Sequence, residues 1–191
     1  MTGLILLAAG NSSRMGRPKQ TLIYQGKTLL QHAVQAAVQS NCEPVFVVLG
    51  AYADTVSAEI HDESIIIIHN PEWQEGMASS IRSGVAELEK NSEADSVIIM
   101  LCDQPFVDAG LLNSLVELQQ TSNKGIVACS YHDTLGVPVL FSKAYFASLL
   151  KLEGHEGAKK ILALHRDDIA AITFPQGEID IDTPDDYNKL T

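Results

Sequence analysis

The chain is short of positive charge. Thirteen lysines and arginines stand against twenty-four aspartates and glutamates in 191 residues, a formal net charge of −11. A surface of that sign repels phosphate backbones and anionic headgroups, which argues against nonspecific nucleic-acid binding and against a membrane-surface role. Cysteine is scarce too. Cys42, Cys102 and Cys129 are far apart, odd in number and never form a C-x-x-C pair, so neither a zinc site nor a disulfide framework is supported. Cys102 and Cys129 sit in or beside apolar runs, which predicts buried thiols. The first apolar run is too short to span a bilayer and follows no basic stretch, so a cytoplasmic protein is expected. Neither G-x-x-x-x-G-K-[ST] nor G-x-G-x-x-G occurs. No repeat, linker or low-complexity run divides the chain, and residues 1–191 are expected to form one well-cored domain.

What the chain does have is concentrated at its start. Residues 4–9 form a continuous apolar run closed by glycine and small polar residues, the pattern of a strand buried on both faces of a parallel sheet. Gly10 lets the backbone turn sharply and approach a ligand closely. Asn11, Ser12 and Ser13 offer hydroxyls, an amide and backbone N–H groups, and Arg14, Arg17 and Lys19 place three cations within six residues. A glycine-bearing loop at a strand end, with N–H donors and cations, is the chemistry that holds a polyphosphate. The alternative is a solvated loop after an edge strand.

Apolar runs and amphipathic segments then alternate, which predicts βαβ units. Thr28 and Gln31 have capping-box spacing, and a helix should run to about residue 39. Strands are expected at 45–49, 65–68, 97–101 and 126–130. Helices are expected near 54–60, from 77 through 88, over 109–120 behind Asp108 as cap, and over 143–150. Met77, Ile81, Val85 and Leu88 mark one helix face. Gly76, Ser79 and Ser80 lie at that helix's start, where N–H groups and hydroxyls either face a ligand or cap the helix. Asp103 follows the strand expected at 97–101, where a buried charge needs a partner: a metal ion or a turn it caps. Gly154 and Gly157 precede another helix, as an anion-ready start or a flexible connection. A last strand over 179–182 should place Asp180 and Asp182 on one side and Ile179 and Ile181 on the other. Thr183, Pro184 and Asp186 suit N-cap, N1 and N3 of a final helix.

These motifs resemble a known family. Leu7-Ala8-Ala9-Gly10-x-Ser12-x-Arg14-Met15-Gly16-x-x-Lys19 is similar to the signature loop of nucleotidyltransferases with a glycosyltransferase-A-like fold. The branch most resembled contains the molybdenum cofactor cytidylyltransferases, and the resemblance covers nearly the whole chain. It implies a three-layer, Rossmann-like α/β fold: a doubly wound, mostly parallel sheet with helices on both faces. It also implies Mg2+-dependent nucleotidyl transfer, with CTP favoured as donor, a molybdopterin-type acceptor, release of pyrophosphate, and an apo molybdenum hydroxylase as a partner.

Carried over by position, the resemblance gives Arg14, Lys19 and Asp103 catalytic roles. Leu7, Ala8, Ala9, Gly10, Ser12, Gly16, Gly76, Ser79 and Ser80 would bind nucleotide with them. Asp103 and Asp182 would hold the metal, and Gly136, Pro138, Gly157 and Lys159 would face the acceptor. The chain departs from the family pattern at Val137, where histidine is usual, and at His155, where aspartate is usual. Guanylyl-transferring relatives tend to have glycine in place of Ala9. Guanylyl transfer, transfer to a sugar or polyol phosphate, and a non-catalytic accessory role are the alternatives.

Overall fold

The computed structural model describes residues 1–190. β1 (Thr2–Ala8) opens the chain, and a tight helical turn at Lys19–Thr21 leads into a short hairpin of β2 (Ile23–Tyr24) and β3 (Lys27–Thr28). Then follow α1 (Leu29–Val38), β4 (Val45–Leu49), α2 (Ala53–Ser57), β5 (Ile65–His69), α3 (Met77–Asn91), β6 (Ser96–Leu101) and α4 (Ala109–Ser122). The second half holds β7 (Ile126–Tyr131), β8 (Thr134–Ser142), α5 (Phe146–Leu149), α6 (Ala158–Leu164), β9 (Ile169–Thr173) and α7 (Pro184–Leu190).

Seven strands form one sheet in the order β5-β4-β1-β6-β8-β7-β9. β1, β4, β5 and β6 run parallel, β8 runs antiparallel to both β6 and β7, and β9 pairs parallel with β7. Every residue of β1 and β4 is buried, because helices cover both faces and a parallel strand must then be apolar throughout. On one face α1, α2 and α4 pack through Leu30, Val56, Leu112 and Leu115. On the other, α3, α5 and α6 pack through Ile81, Leu88, Phe146 and Ile161. This is the three-layer α/β fold that the resemblance implied, built from the βαβ units that the alternation predicted.

Local signals placed several elements well. The Thr28–Gln31 capping box is formed from both sides, and the Asp108 carboxylate accepts from Leu111 N–H at 2.8 Å. Thr183 and Asp186 cap each other in the same way at the start of α7.

Two expectations change, and residues 136–141, for which no element was expected, form a strand. Residues 179–182 are not a strand: a tight helical turn at Pro175–Glu178 precedes them, and Ile181 N–H donates to the carbonyl of Asp103 at 3.1 Å. The sheet edge is taken instead by β9, which alternation alone did not reveal because it is half-exposed. Residues 136–141 belong to β8 of an antiparallel hairpin with β7. Finally, Met77 leaves the buried stripe of α3. It is 42% exposed, while Ala78, Ile81, Val85 and Leu88 carry the packing.

Candidate functional site

β1 and β6 are neighbours, while the chain that leaves β1 crosses first to β4 on the other side. The order of winding therefore reverses between β1 and β6, and ligands of such sheets bind beyond the strands' carboxyl ends at that point. A cleft of about 420 Å³ lies there. One wall is the loop after β1, from Ala9 through Arg14, with Lys19. The rest of the lining is Trp73, Gln74, Gly76, Met77, Ser80 and His155, with Leu101, Cys102 and Asp103 at the end of β6.

The loop is held from within. Ser12, at φ 51°, accepts Met15 and Gly16 N–H at its carbonyl and Lys19 N–H at its hydroxyl. Gln20 is wholly buried and donates to the carbonyls of Ala8 and Gly10 at 2.9 and 3.1 Å. The sequence reading passed over Gln20, since nothing marks a single glutamine beside a lysine as a loop brace.

Four charged side chains meet at one end of the cleft. The Lys19 ammonium bridges the carboxylates of Asp103 and Asp182, with Asp182 Oδ1 at 2.7 Å. Arg14 reaches the other oxygen of Asp182 at 2.6 Å. Burial works against the charge on Lys19, but the neighbouring negative groups, Asp103 foremost and Asp182 with it, together outweigh burial and raise the lysine pKa above its ordinary value. For Asp182 burial acts upward, while the Lys19 hydrogen bond and the charges of Lys19 and Arg14 hold the carboxyl below its usual range. Asp180 keeps surface exposed, yet burial of its carboxyl and the charges of Asp103 and Asp182 push its pKa up to about 6.

Asp182 reaches this cluster by packing rather than by pairing. Ile181 is fully buried with Met15, Leu22 and Leu29 in a small cluster of its own. Burying such a side chain contributes about 1.5–3 kcal/mol. Together with the bond from Ile181 N–H to Asp103, it fixes the segment against the loop.

Asp103 carries one further feature. Its side chain is 9% exposed, and its Oδ1 has no hydrogen-bond partner. A buried carboxylate oxygen without a partner is costly, and a cation relieves that cost. Among the described residues no group of three or more histidine, cysteine, aspartate or glutamate side chains is arranged for a metal. Two carboxylates suit a magnesium-type ion whose remaining positions go to substrate phosphates and water.

The structure brings together Leu7, Ala8, Ala9, Gly10, Ser12, Arg14, Lys19, Gly76, Ser80, Asp103 and Asp182 around the cleft. It does not bring Gly16 or Ser79 to the lining. The Ser79 hydroxyl donates inward to the carbonyls of Glu72 and Gly76 and accepts from Asn70, which ties the turn before α3 to its first residues. Arg17 is drawn off as well, with its guanidinium over the Tyr187 ring at 5.7 Å. The residues expected at the acceptor are not among those that line the cleft. Gly136 is buried, and a Cβ there would fall 2.0 Å from the Tyr131 hydroxyl oxygen, so its lack of a side chain makes room for that ring. Pro138 is buried within β8. Gly157 packs against the Met77 sulfur. Lys159, exposed on α6, contributes to the field at Asp180.

Gly76 is the residue that the backbone demands. Its φ is +117°, and a Cβ would meet the Gly154 carbonyl oxygen at 2.4 Å. That carbonyl accepts Ala78 N–H at 3.1 Å. The 154–157 loop is thereby locked onto the start of α3, which is how His155 comes to line the cleft.

A phosphate-ready loop facing two carboxylates at the switch point of a mostly parallel sheet defines the class: a nucleotidyltransferase. Residues 4–169 match the MobA-like NTP transferase domain, and the chain belongs to that family. It is 31% identical to the purine catabolism protein PucB of Bacillus subtilis (strain 168), over 97% of this chain and 94% of that one. It is 26% identical to the molybdenum cofactor cytidylyltransferase of Escherichia coli (strain K12), over 96% and 92%. Rv0371c from Mycobacterium tuberculosis superposes with a TM-score of 0.85 at 30% identity, covering 99% of this chain and 96% of that one. A second structure of Rv0371c, with a TM-score of 0.79, is a complex with manganese. None of the described helices is long and apolar enough to cross a membrane.

Proposed function

We propose that this nucleotidyltransferase acts as a single cytoplasmic domain that transfers CMP from CTP to a molybdopterin-type acceptor, releasing pyrophosphate, for use by an apo molybdenum hydroxylase. The observation that carries the chemistry is the meeting of Lys19 and Arg14 with Asp103 and Asp182 at the end of a cleft walled by the loop after β1. The choice of acceptor rests on the likeness to the cytidylyltransferase over nearly the full length of both chains. The choice of cytosine rests on Ala9, whose methyl is retained at the cleft where guanylyl-transferring relatives tend to have glycine.

In this reading a phosphate oxygen of the acceptor attacks the α-phosphorus of the nucleotide. The attacking oxygen is already ionised, so the protein supplies position and charge rather than a strong base. Lys19 and Arg14 neutralise charge on the departing pyrophosphate, and one such contact is worth about 2.7–4 kcal/mol of barrier, by analogy with an oxyanion donor. Asp103, with its free Oδ1, and Asp182 would hold Mg2+. When bound, that ion supplies positive charge to phosphate oxygens.

The test is a panel of nucleoside triphosphates with Mg2+, following pyrophosphate with and without molybdopterin. CTP with molybdopterin should give the fastest release. A faster reaction with GTP would sink the cytidylyl reading, and turnover only with a sugar or polyol phosphate would sink the pterin acceptor.

A further inference from the structure

The residue that follows Asp103 is an uncharged side chain buried where three parts of the chain meet. Gln104 is 3% exposed. Its amide nitrogen donates to the carbonyl of Gly177 at 2.9 Å and to the carbonyl of Val137 at 3.2 Å. Both of its N–H groups are therefore used. The opposite orientation of the amide would turn its oxygen against two carbonyls, so the partners themselves decide which end is the nitrogen. One side chain thus joins the segment after β6 to strand β8 and to the turn Pro175–Glu178.

That turn is closely seated. A Cβ on Gly177 would fall 2.5 Å from Tyr131 Cδ1 and 2.7 Å from Phe174 Cδ1, so the backbone of Gly177 lies against both rings. Phe174 N–H in turn donates to the carbonyl of Ser130 in β7 at 2.9 Å. Four residues past Gly177, Ile181 N–H donates to the carbonyl of Asp103 at 3.1 Å. The Gln104 side chain and the Asp103 carbonyl therefore hold one segment at two points. Asp182 comes next, and the Lys19 ammonium bridges its carboxylate and that of Asp103.

Two carboxylates hold a small divalent ion only at a suitable spacing, because such an ion demands oxygen ligands at roughly 2.0–2.1 Å in near-octahedral positions. Asp103 takes its place from β6. Asp182 takes its place from the chain between Gly177 and Ile181. Resting on the reading of Asp103 and Asp182 as the pair that holds the metal, we propose that Gln104 is a positioning residue. Through the Gly177 turn it sets the distance of Asp182 from Asp103. Loss of its amide leaves two carbonyls unpaired, which costs free energy where they are buried, and lets the turn shift. The loop after β1 keeps its own brace in Gln20 and is left as it was.

The test is Gln104→Met, which is similar in volume and removes both donors. Mn2+ is the probe, followed by electron paramagnetic resonance and calorimetry, and inorganic tripolyphosphate without metal is the control. Mn2+ affinity should fall about 10- to 100-fold, the usual cost of losing a group that orients a metal ligand. Tripolyphosphate affinity should stay within twofold of the parent. With CTP and molybdopterin, half-maximal turnover should need more Mg2+ by the same factor, and saturating Mg2+ should restore the rate. Equal falls for Mn2+ and tripolyphosphate would make Gln104 a structural residue only and overturn the proposal. So would a folded Gln104→Met protein with Mn2+ affinity within twofold of the parent. If Gln104→Met does not fold, Gly177→Ala decides. It displaces the turn and leaves Gln104 and both carboxylates in the chain, and Mn2+ affinity within twofold of the parent then overturns the proposal. A parent that binds Mn2+ but turns over no nucleotide sinks the transferase reaction, and the Mn2+ affinities alone then judge Gln104. A parent that binds no Mn2+ overturns the metal pair and this proposal together.

Discussion

The two carboxylates that share Lys19 arrive by different routes. Asp103 stands two residues past β6, and β6 is locked into the sheet by six pairings with β1, from Thr2 opposite Ser96 to Leu7 opposite Leu101. Asp182 lies in a stretch with no strand partner at all, held by one backbone bond to Asp103, by the burial of Ile181 and by Lys19 and Arg14 on its own carboxylate. The first position is a consequence of sheet topology and shares the stability of the whole sheet. The second is a satellite fastening whose loss the sheet would survive. A site assembled this way has one rigid half and one half that opens at lower cost, since segments with few packed contacts open locally before the core does.

The largest effect should come from the rigid half. Asp103→Ala should lower turnover by about 100- to 1,000-fold, the cost of removing one charge-stabilising contact, with the circular dichroism spectrum unchanged. Near-normal pyrophosphate release from that folded variant would remove Asp103 from the chemistry and leave the two halves without the proposed division.

Ile181→Ala tests the fastening. Emptying a fully buried isoleucine site costs about 2–5 kcal/mol. If the segment is a satellite, the variant should keep a cooperative main unfolding transition, while amide exchange speeds up around residues 179–182 and turnover falls with it. Unfolding of the whole domain in step with that segment would show that the C-terminal stretch is part of the sheet's cooperative unit.

Gly76→Ala probes the lining at the start of α3. A positive φ combined with a 2.4 Å approach to a backbone carbonyl should cost about 1–3 kcal/mol and dislodge the loop that carries His155. The checks are a lowered melting temperature and a raised KM for the nucleotide. A variant as stable as the parent would mean that the 154–157 loop rests on α3 without being locked to it.

The smallest effect concerns β7, remote from the cleft. Burial pushes the Cys129 thiol from its ordinary 9.0 up to about 12. The unfolded chain therefore ionises this group first as pH rises. Its contribution to stability is intact below pH 9 and is lost between pH 9 and about 12. Chemical denaturation across that window should show stability declining with pH, and Cys129→Ala should make the decline shallower. An unchanged slope would shift the cause to the other buried groups, Cys102 and Tyr131, which also stand near 12.

Much of the first half was readable in advance because its signals are local. A fully apolar run means a strand covered on both faces, and strands 45–49 and 97–101 were placed within a residue or so of where β4 and β6 lie. Thr28, Asp108 and Thr183 announced their helices because a cap bonds within three residues of itself. Ile179-Asp180-Ile181-Asp182 alternates as a strand does, yet alternation reports only that one side is buried. Ile181 buries its side against the loop cluster instead of in a ladder. Ser79 and Gly136 lie off the cleft lining for a related reason: a small residue at a motif position is equally what a ligand needs and what a neighbouring carbonyl or ring needs.

By itself, then, the sequence determined β1, β4, β5 and β6 with the helices between them, and the loop after β1 with its cations. Each of these depends on residues close together in the chain. Only the tertiary structure decided which side chains share the cleft. Lys19 and Asp182 are 163 positions apart, and Gly50, Trp73 and Ala9 meet across three separate elements. Contacts of that span are settled by how sheet and helices pack, which no local pattern of residues encodes.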